Sequence, residues 1–228
     1  SGLALFVYAM AFSLAYVSLE TGMGALILFG SVQATMIGAG LLRGERPTPR
    51  EWLGLAAAMG GLIYLVMPGL AAPDPVGGAL MCASGVAWGV YSLRGKGSAA
   101  PVATTAGNFT RALPMAALAL FIAGGTLHAS PGGVALAVTS GAVTSGLGYV
   151  IWYVTLRHLT ATRAAIVQLA VPVIAALGGI VVLSETPTLR LGVASVMILG
   201  GVAAATLARS RQTATLVREH QSGEHRRP

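Results

Sequence analysis

The sequence predicts an all-α integral membrane protein: eight visible transmembrane helices drawn from an inverted five-plus-five helix repeat. Three observations lead there. Of the 228 residues, 55% are hydrophobic and only 9% charged, whereas a soluble domain carries about 25% charged residues. The apolar residues are gathered into runs near the ~20 residues that cross a hydrocarbon core of ~30 Å. A charged hinge between two such runs also recurs 140 residues further along the chain.

In chain order the apolar runs span 3–19, 22–42, 51–69, 75–93, 103–125, 133–158, 161–183 and 189–208. Gly, Pro and charge occupy the breaks between them, as helix ends require: Glu20–Thr21, Arg43–Arg50, Ala71–Asp74, Arg94–Ala100, Thr126–Gly132, Leu159–Thr160 and Ser184–Thr188. Segment 209–228 holds five arginines, two glutamates and two histidines with no apolar face, so a disordered basic tail is expected there. Cys82 stands alone inside an apolar run, which rules out an intrachain disulfide and suits packing.

The repeat sets the domain organisation. At the 140-residue offset, Glu45, Pro47, Thr48 and Arg50 fall on Glu185, Pro187, Thr188 and Arg190, and Gly60 and Gly61 on Gly200 and Gly201. Polar residues are scarce here, so the E-x-P-T-x-R element carries most of this evidence. A cytoplasmic tail puts Arg43, Arg46, Arg50, Arg94, Lys96, Arg157 and Arg163 on the tail's side. Twelve of the 14 basic residues are then cytoplasmic, with Arg190 outside and Arg111 within a helix, as the positive-inside rule demands. The two hinges consequently face opposite compartments, which requires an odd number of helices per unit. Residues 75–208 hold five helices and 1–70 hold three, so roughly 65 residues and two helices are expected to precede Ser1. No basic flank or cleavage signal marks the first run as a signal peptide.

The motifs fall in a definite order. Leu42-Arg-Gly-Glu45-Arg-Pro47, Trp52-Leu-Gly54 and Gly60-Gly61 occupy the first half. The second half has Ser84-Gly-Val-Ala-Trp88-Gly-Val-Tyr91, then Val171-Pro172-Val-Ile-Ala-Ala, Ser184-Glu185-Thr-Pro187 and Gly200-Gly201. This arrangement resembles the EamA-type family of the drug/metabolite transporter superfamily over nearly the whole chain except the tail. The resemblance implies a secondary carrier or exporter of small metabolites, with a central cavity between the halves and alternating access by rocking. It does not single out a substrate, and the motifs read as structural.

Candidate substrate-binding residues are polar or aromatic groups inside the predicted crossings: Gln33, Trp88, Asn108, Arg111, Trp152 and Gln168. Arg111 shares a helix face with Asn108, and the pair suits a carboxylate or phosphate; alternatively Arg111 snorkels to lipid headgroups. Gln33 and Gln168 either meet substrate or bond neighbouring helices. Gln168 lies one turn before Pro172, where a broken helix would free backbone carbonyls. Trp88 and Trp152 sit deeper than Tyr91 and Tyr153, which fall near helix ends where aromatic belts are expected. Glu45 and Glu185 suit caps on helix N-termini, with proton coupling as the other reading. Gly85 and Gly89, Gly141 and Ser145, and Ala175 and Gly179 have the spacing of close helix contacts, sliding or static.

No G-x-S-x-G, H-E-x-x-H or paired midplane aspartates occur, and His128, His158, His220 and His225 all fall in loops or tail. No enzyme activity and no cofactor are therefore expected, and the Asn108-Phe-Thr110 sequon lies near the cytoplasmic end of a crossing, where glycosylation is not expected. The expected partners are a small-molecule substrate and membrane lipid, with no nucleic acid and with room for a homodimer. Such a protein belongs in the plasma (inner) membrane, with both ends of this chain cytoplasmic. A non-transporting membrane scaffold or assembly subunit is the alternative: it would keep the small-residue packing and lack a cavity.

Overall fold

Each predicted apolar run contains at least one helix in the computed structural model, which describes residues 1–67, 74–122, 130–184 and 186–224, with the side chains of 183 and 208–224 excepted. The helices are α1 (Gly2–Ala15), α2 (Thr21–Leu42), α3 (Pro49–Val66), α4 (Pro75–Gly95) and α5 (Pro101–Ile122). They are followed by α6 (Pro131–Thr139), α7 (Gly148–Leu156), α8 (Ala161–Gln168), α9 (Val171–Leu183) and α10 (Leu189–Glu224). Among the described residues there is no strand. A π-helical segment, Ser140–Leu147, joins α6 to α7, so Pro131–Leu156 is one rod. Among the described residues, five helical stretches are long and apolar enough to cross a bilayer: Thr21–Leu42, Pro75–Gly95, Pro131–Leu156, Ala161–Val182 and Leu189–Leu207. Helix α1 is apolar but shorter.

Local chemistry explains where the helices begin. Pro occupies the first turn of α3, α4 and α6, where its missing N–H costs nothing. The Asp74 carboxylate accepts from Gly77 N at 2.7 Å and caps α4. Thr48 and Glu51 form a capping box on α3: Glu51 N donates to Thr48 Oγ1 at 3.3 Å and Thr48 N donates to Glu51 Oε2 at 2.7 Å. The break expected at Pro172 is present, since α8 stops at Gln168 and α9 restarts with Pro172 in its first turn. Helix α10 runs on to Glu224, into the stretch expected to be disordered from 209. Glu185, the second predicted cap, lies outside the described residues.

Packing follows the small residues. Helix α1 lies antiparallel to α4, with Ser84 Oγ donating to the Tyr8 carbonyl at 3.0 Å. Helix α4 presses on α2 through the Gly85 and Gly89 pair. A Cβ at Gly85 would meet the Leu28 carbonyl at 2.6 Å, and one at Gly89 would meet Thr35 Cγ2 at 2.8 Å. The other spaced pairs do not pack in this way: Gly141 and Ala175 are exposed.

Helices α3 and α10 form the most extensive pairing, and their contact is reciprocal. A Cβ at Gly54 would meet the Gly201 carbonyl at 2.5 Å, and one at Gly201 would strike the Gly54 carbonyl. About two turns away on each helix, a Cβ at Gly61 would meet the Ala194 carbonyl at 3.1 Å. Ala58 and Ile198 are buried between these contacts with Leu62, Leu169 and Val173. Backbones approach this closely only where no side chain intervenes, the usual condition for strong dispersion contact in lipid. A larger cluster of Val32, Met36, Ile37, Tyr91, Tyr153, Leu156, Ala164 and Ala165 joins α2, α4, α7 and α8.

Candidate functional site

Two polar assemblies each include hydrogen bonds between residues of the segment 1–67 and residues of the segment 74–184. The first is at one end of the bundle, where Gly44 adopts φ +84° and turns the chain from α2 into α3. That turn aims the Glu45 carboxylate across the molecule at the start of α8, where Ala161 N donates to Oε1 at 2.7 Å. Thr162 N and Thr162 Oγ1 each donate to Oε2 at 3.1 Å. Glu45 is thus a helix cap as expected, but for α8 and not for the helix that follows it; α3 is capped by Thr48. A carboxylate here meets free N–H groups and the positive end of the helix dipole.

Lys96 Nζ stands 3.5 Å from Glu45 Oε1, and Arg163 Nε donates to Glu51 Oε1 at 2.7 Å. Both ion pairs run between the two segments. Burial pushes the Glu45 carboxyl up, but the Ala161 and Thr162 donors and the Lys96 charge outweigh it and hold the group below its ordinary value of 4.5. The network borders a cleft of about 390 Å³ lined by Gly44, Glu45, Arg46, Thr48, Glu51 and Thr162.

The second assembly is interior. Trp88 Nε1 donates to Gln168 Oε1, and Gln168 Nε2 donates to the Ala164 carbonyl and to Met36 Sδ, each at 3.2 Å. Gln33 Nε2 donates to the Ala165 carbonyl at 2.8 Å, while its Oε1, though buried, has no partner. Trp152 Nε1 donates to Ser92 Oγ at 3.0 Å, and Asn108 Nδ2 donates to Tyr153 OH at 3.3 Å. Five of the six candidates therefore point inward, with Gln33, Trp88 and Gln168 brought together around α2, α4 and α8. Arg111 does not join them: it is exposed on α5, its Cβ beside Gly2.

Aromatic rings fill the space between these groups. Trp88 lies 4.8 Å from Tyr8, 5.0 Å from Tyr149 and 5.5 Å from Tyr91, and Tyr91 lies 5.1 Å from Tyr153. Tyr91 and Tyr153 are fully buried and form no interfacial belt. Their place near helix ends misleads because α4 and α7 turn those ends into the bundle. Glu51, Arg163 and Tyr8 were not legible as participants. The available signal for Glu51 was its capping-box spacing from Thr48.

Long apolar helices, held together by small residues and enclosing neutral polar groups and rings, define a polytopic α-helical membrane protein. A profile of the EamA-like transporter family matches residues 76–207, and the chain belongs to that family. An uncharacterized protein of Pseudomonas aeruginosa is 54% identical over 201 residues, covering 88% of this chain and 70% of the relative. An uncharacterized transporter of Archaeoglobus fulgidus is 27% identical over 207 residues, covering 86% of this chain and 71% of its own length. A solved crystal structure aligns with a TM-score of 0.75 and 21% identity over 92% of this chain and 75% of its own, a likeness of fold.

Proposed function

We propose that this chain is the greater part of a secondary transporter that exports small organic metabolites or drugs by alternating access. In this reading residues 1–70 are the last three helices of one repeat and 75–208 a complete second repeat, inverted in the plasma membrane. Both ends of the chain face the cytoplasm. One observation carries the proposal: the ionic ties between the two segments, Glu45 with Lys96 and Glu51 with Arg163, are gathered at one mouth. The interior holds neutral polar groups and rings. A carrier needs that asymmetry, a latch that closes one side and an interior able to re-pair with substrate.

The reciprocal α3–α10 contact supports the inversion. Adding the repeat offset exchanges its members: Gly54 goes to Ala194 and Gly61 to Gly201, so the contacts Gly54 with Gly201 and Gly61 with Ala194 map onto each other. Two-fold related surfaces have this property. An ionised Glu45 fits the latch better than a proton carrier, since its carboxyl is held below the ordinary value. Gln33, Trp88, Asn108, Trp152 and Gln168 line the proposed route, and Arg111 stands on its outer surface.

Efflux of a labelled metabolite and drug panel from proteoliposomes tests the reading. The expected result is loss of at least one compound faster than from protein-free vesicles. The alternative, a membrane scaffold, is favoured by the closed ring packing around Trp88; retention of the entire panel would establish it over the carrier.

A further inference from the structure

Among the described residues three buried side-chain oxygens have no partner: Thr105 Oγ1 on α5, and, on the neighbouring helices α2 and α4, Gln33 Oε1 and the Tyr91 hydroxyl. Gln33 is 5% exposed and Tyr91 fully buried. Buried polar atoms without partners are rare, because each has given up water for nothing in return. Their neighbours are already satisfied: Gln168 by Trp88, Ala164 and Met36, Trp152 by Ser92, and Asn108 by Tyr153. The same cluster that holds Tyr91 includes Val32, Met36 and Ala165, which flank Gln33 or accept its amide hydrogen bond.

Resting on the transporter reading above, we infer that this interior takes a flat, ring-bearing molecule that carries an N–H or O–H donor and no net negative charge. Gln33 Oε1 is an acceptor only, so its partner must donate. The rings in contact with Trp88 or Tyr91 are those of Tyr8, Tyr149 and Tyr153, and π faces attract cations and ring edges while repelling anions. A buried anion would also need a cation beside it. Lys96 and Arg163 are paired at the mouth, Arg94 is exposed with its Nε donating to Ser1 Oγ, and Arg111 is exposed outside the cluster. Ring centroids 4.8–5.5 Å apart are in contact, so the ligand's own ring replaces one of these contacts when the helices part, and its donor meets the free oxygen.

Tryptamine, tryptophol and indole-3-acetate present one ring with a cationic, a neutral and an anionic arm. Their binding to the purified protein in nanodiscs, followed by calorimetry, tests the inference. Tryptamine and tryptophol should bind at least tenfold more tightly than indole-3-acetate. Gln33→Leu should weaken them about tenfold, and Tyr91→Phe, which removes only the hydroxyl, should weaken them several-fold without moving the melting temperature. Equal or tighter binding of the acetate overturns the inference, as does an absence of binding by all three or unchanged affinity in both variants. Efflux of some other compound from the panel would leave the transporter reading standing in each of those cases.

Discussion

Glu51 and Arg163 lie 112 residues apart in sequence and share a hydrogen bond of 2.7 Å in the structure. The Glu51 side chain is 6% exposed and that of Arg163 12%, so removing one partner strands a charge that water cannot easily reach. Arg163→Met should therefore cost about 3 kcal/mol, read as a lowered denaturation midpoint in detergent; an unshifted midpoint would show that the pair contributes nothing. Glu45 differs, because its carboxylate answers backbone amides as well as Lys96. Its folded value is depressed, so the stability it contributes is whole above its ordinary 4.5 and is lost as pH falls through the lower folded value. The melting temperature of the parent protein should hold from neutral pH to about 5 and fall below that. The difference from Glu45→Gln should shrink over the same acidic range, and a constant difference down to strong acid would refute the assignment.

Among the helices, the α3–α10 pairing offers a controlled comparison, because Gly200 and Gly201 are adjacent yet meet different surroundings. A Cβ at Gly201 would strike the Gly54 carbonyl, while one at Gly200 has nothing within 4 Å. Gly201→Val should cost about 1–3 kcal/mol by overpacking against backbone that cannot move aside. Gly200→Val, with the same β-branched side chain in the same helix, should cost much less. Equal melting temperatures would mean that the close approach is unimportant. Both glycines were visible in the sequence as one repeated pair, but which of them touches a neighbour was not, since that depends on the rotation of α10 about its axis. The breaks at Pro172 and at Arg43–Arg50 were legible because Pro and Gly restrict or free the backbone locally. Pairings such as Glu51 with Arg163, or Trp88 with Gln168, were not, because they depend on which helices become neighbours. Tyr91 and Tyr153 were misread for a related reason: depth along a helix does not reveal which way its end faces.

At the scale of the whole molecule, the proposed inversion places the two hinges on opposite sides of the membrane. Arg46 lies in the turn before α3, and Arg190 lies in the first turn of α10, its guanidinium 5.5 Å from the Tyr64 ring near the far end of α3. Thr48 and Tyr64 are separated by sixteen helical steps, about 24 Å at 1.5 Å per residue, close to the thickness of the hydrocarbon core. An antiparallel α3–α10 pair standing upright in the bilayer thus puts the two arginines in different compartments. Both are exposed, and the native thiol, Cys82, is exposed as well, so it must first be replaced by serine. In that background a membrane-impermeant maleimide applied to intact cells should label Arg190→Cys and spare Arg46→Cys, with the preference reversed in inside-out vesicles. Labelling of both from one side would mean that the helix pair lies along the membrane or outside it. The repeats would then not be inverted, and the mouth closed by Glu45 and Glu51 could not alternate with another across the bilayer.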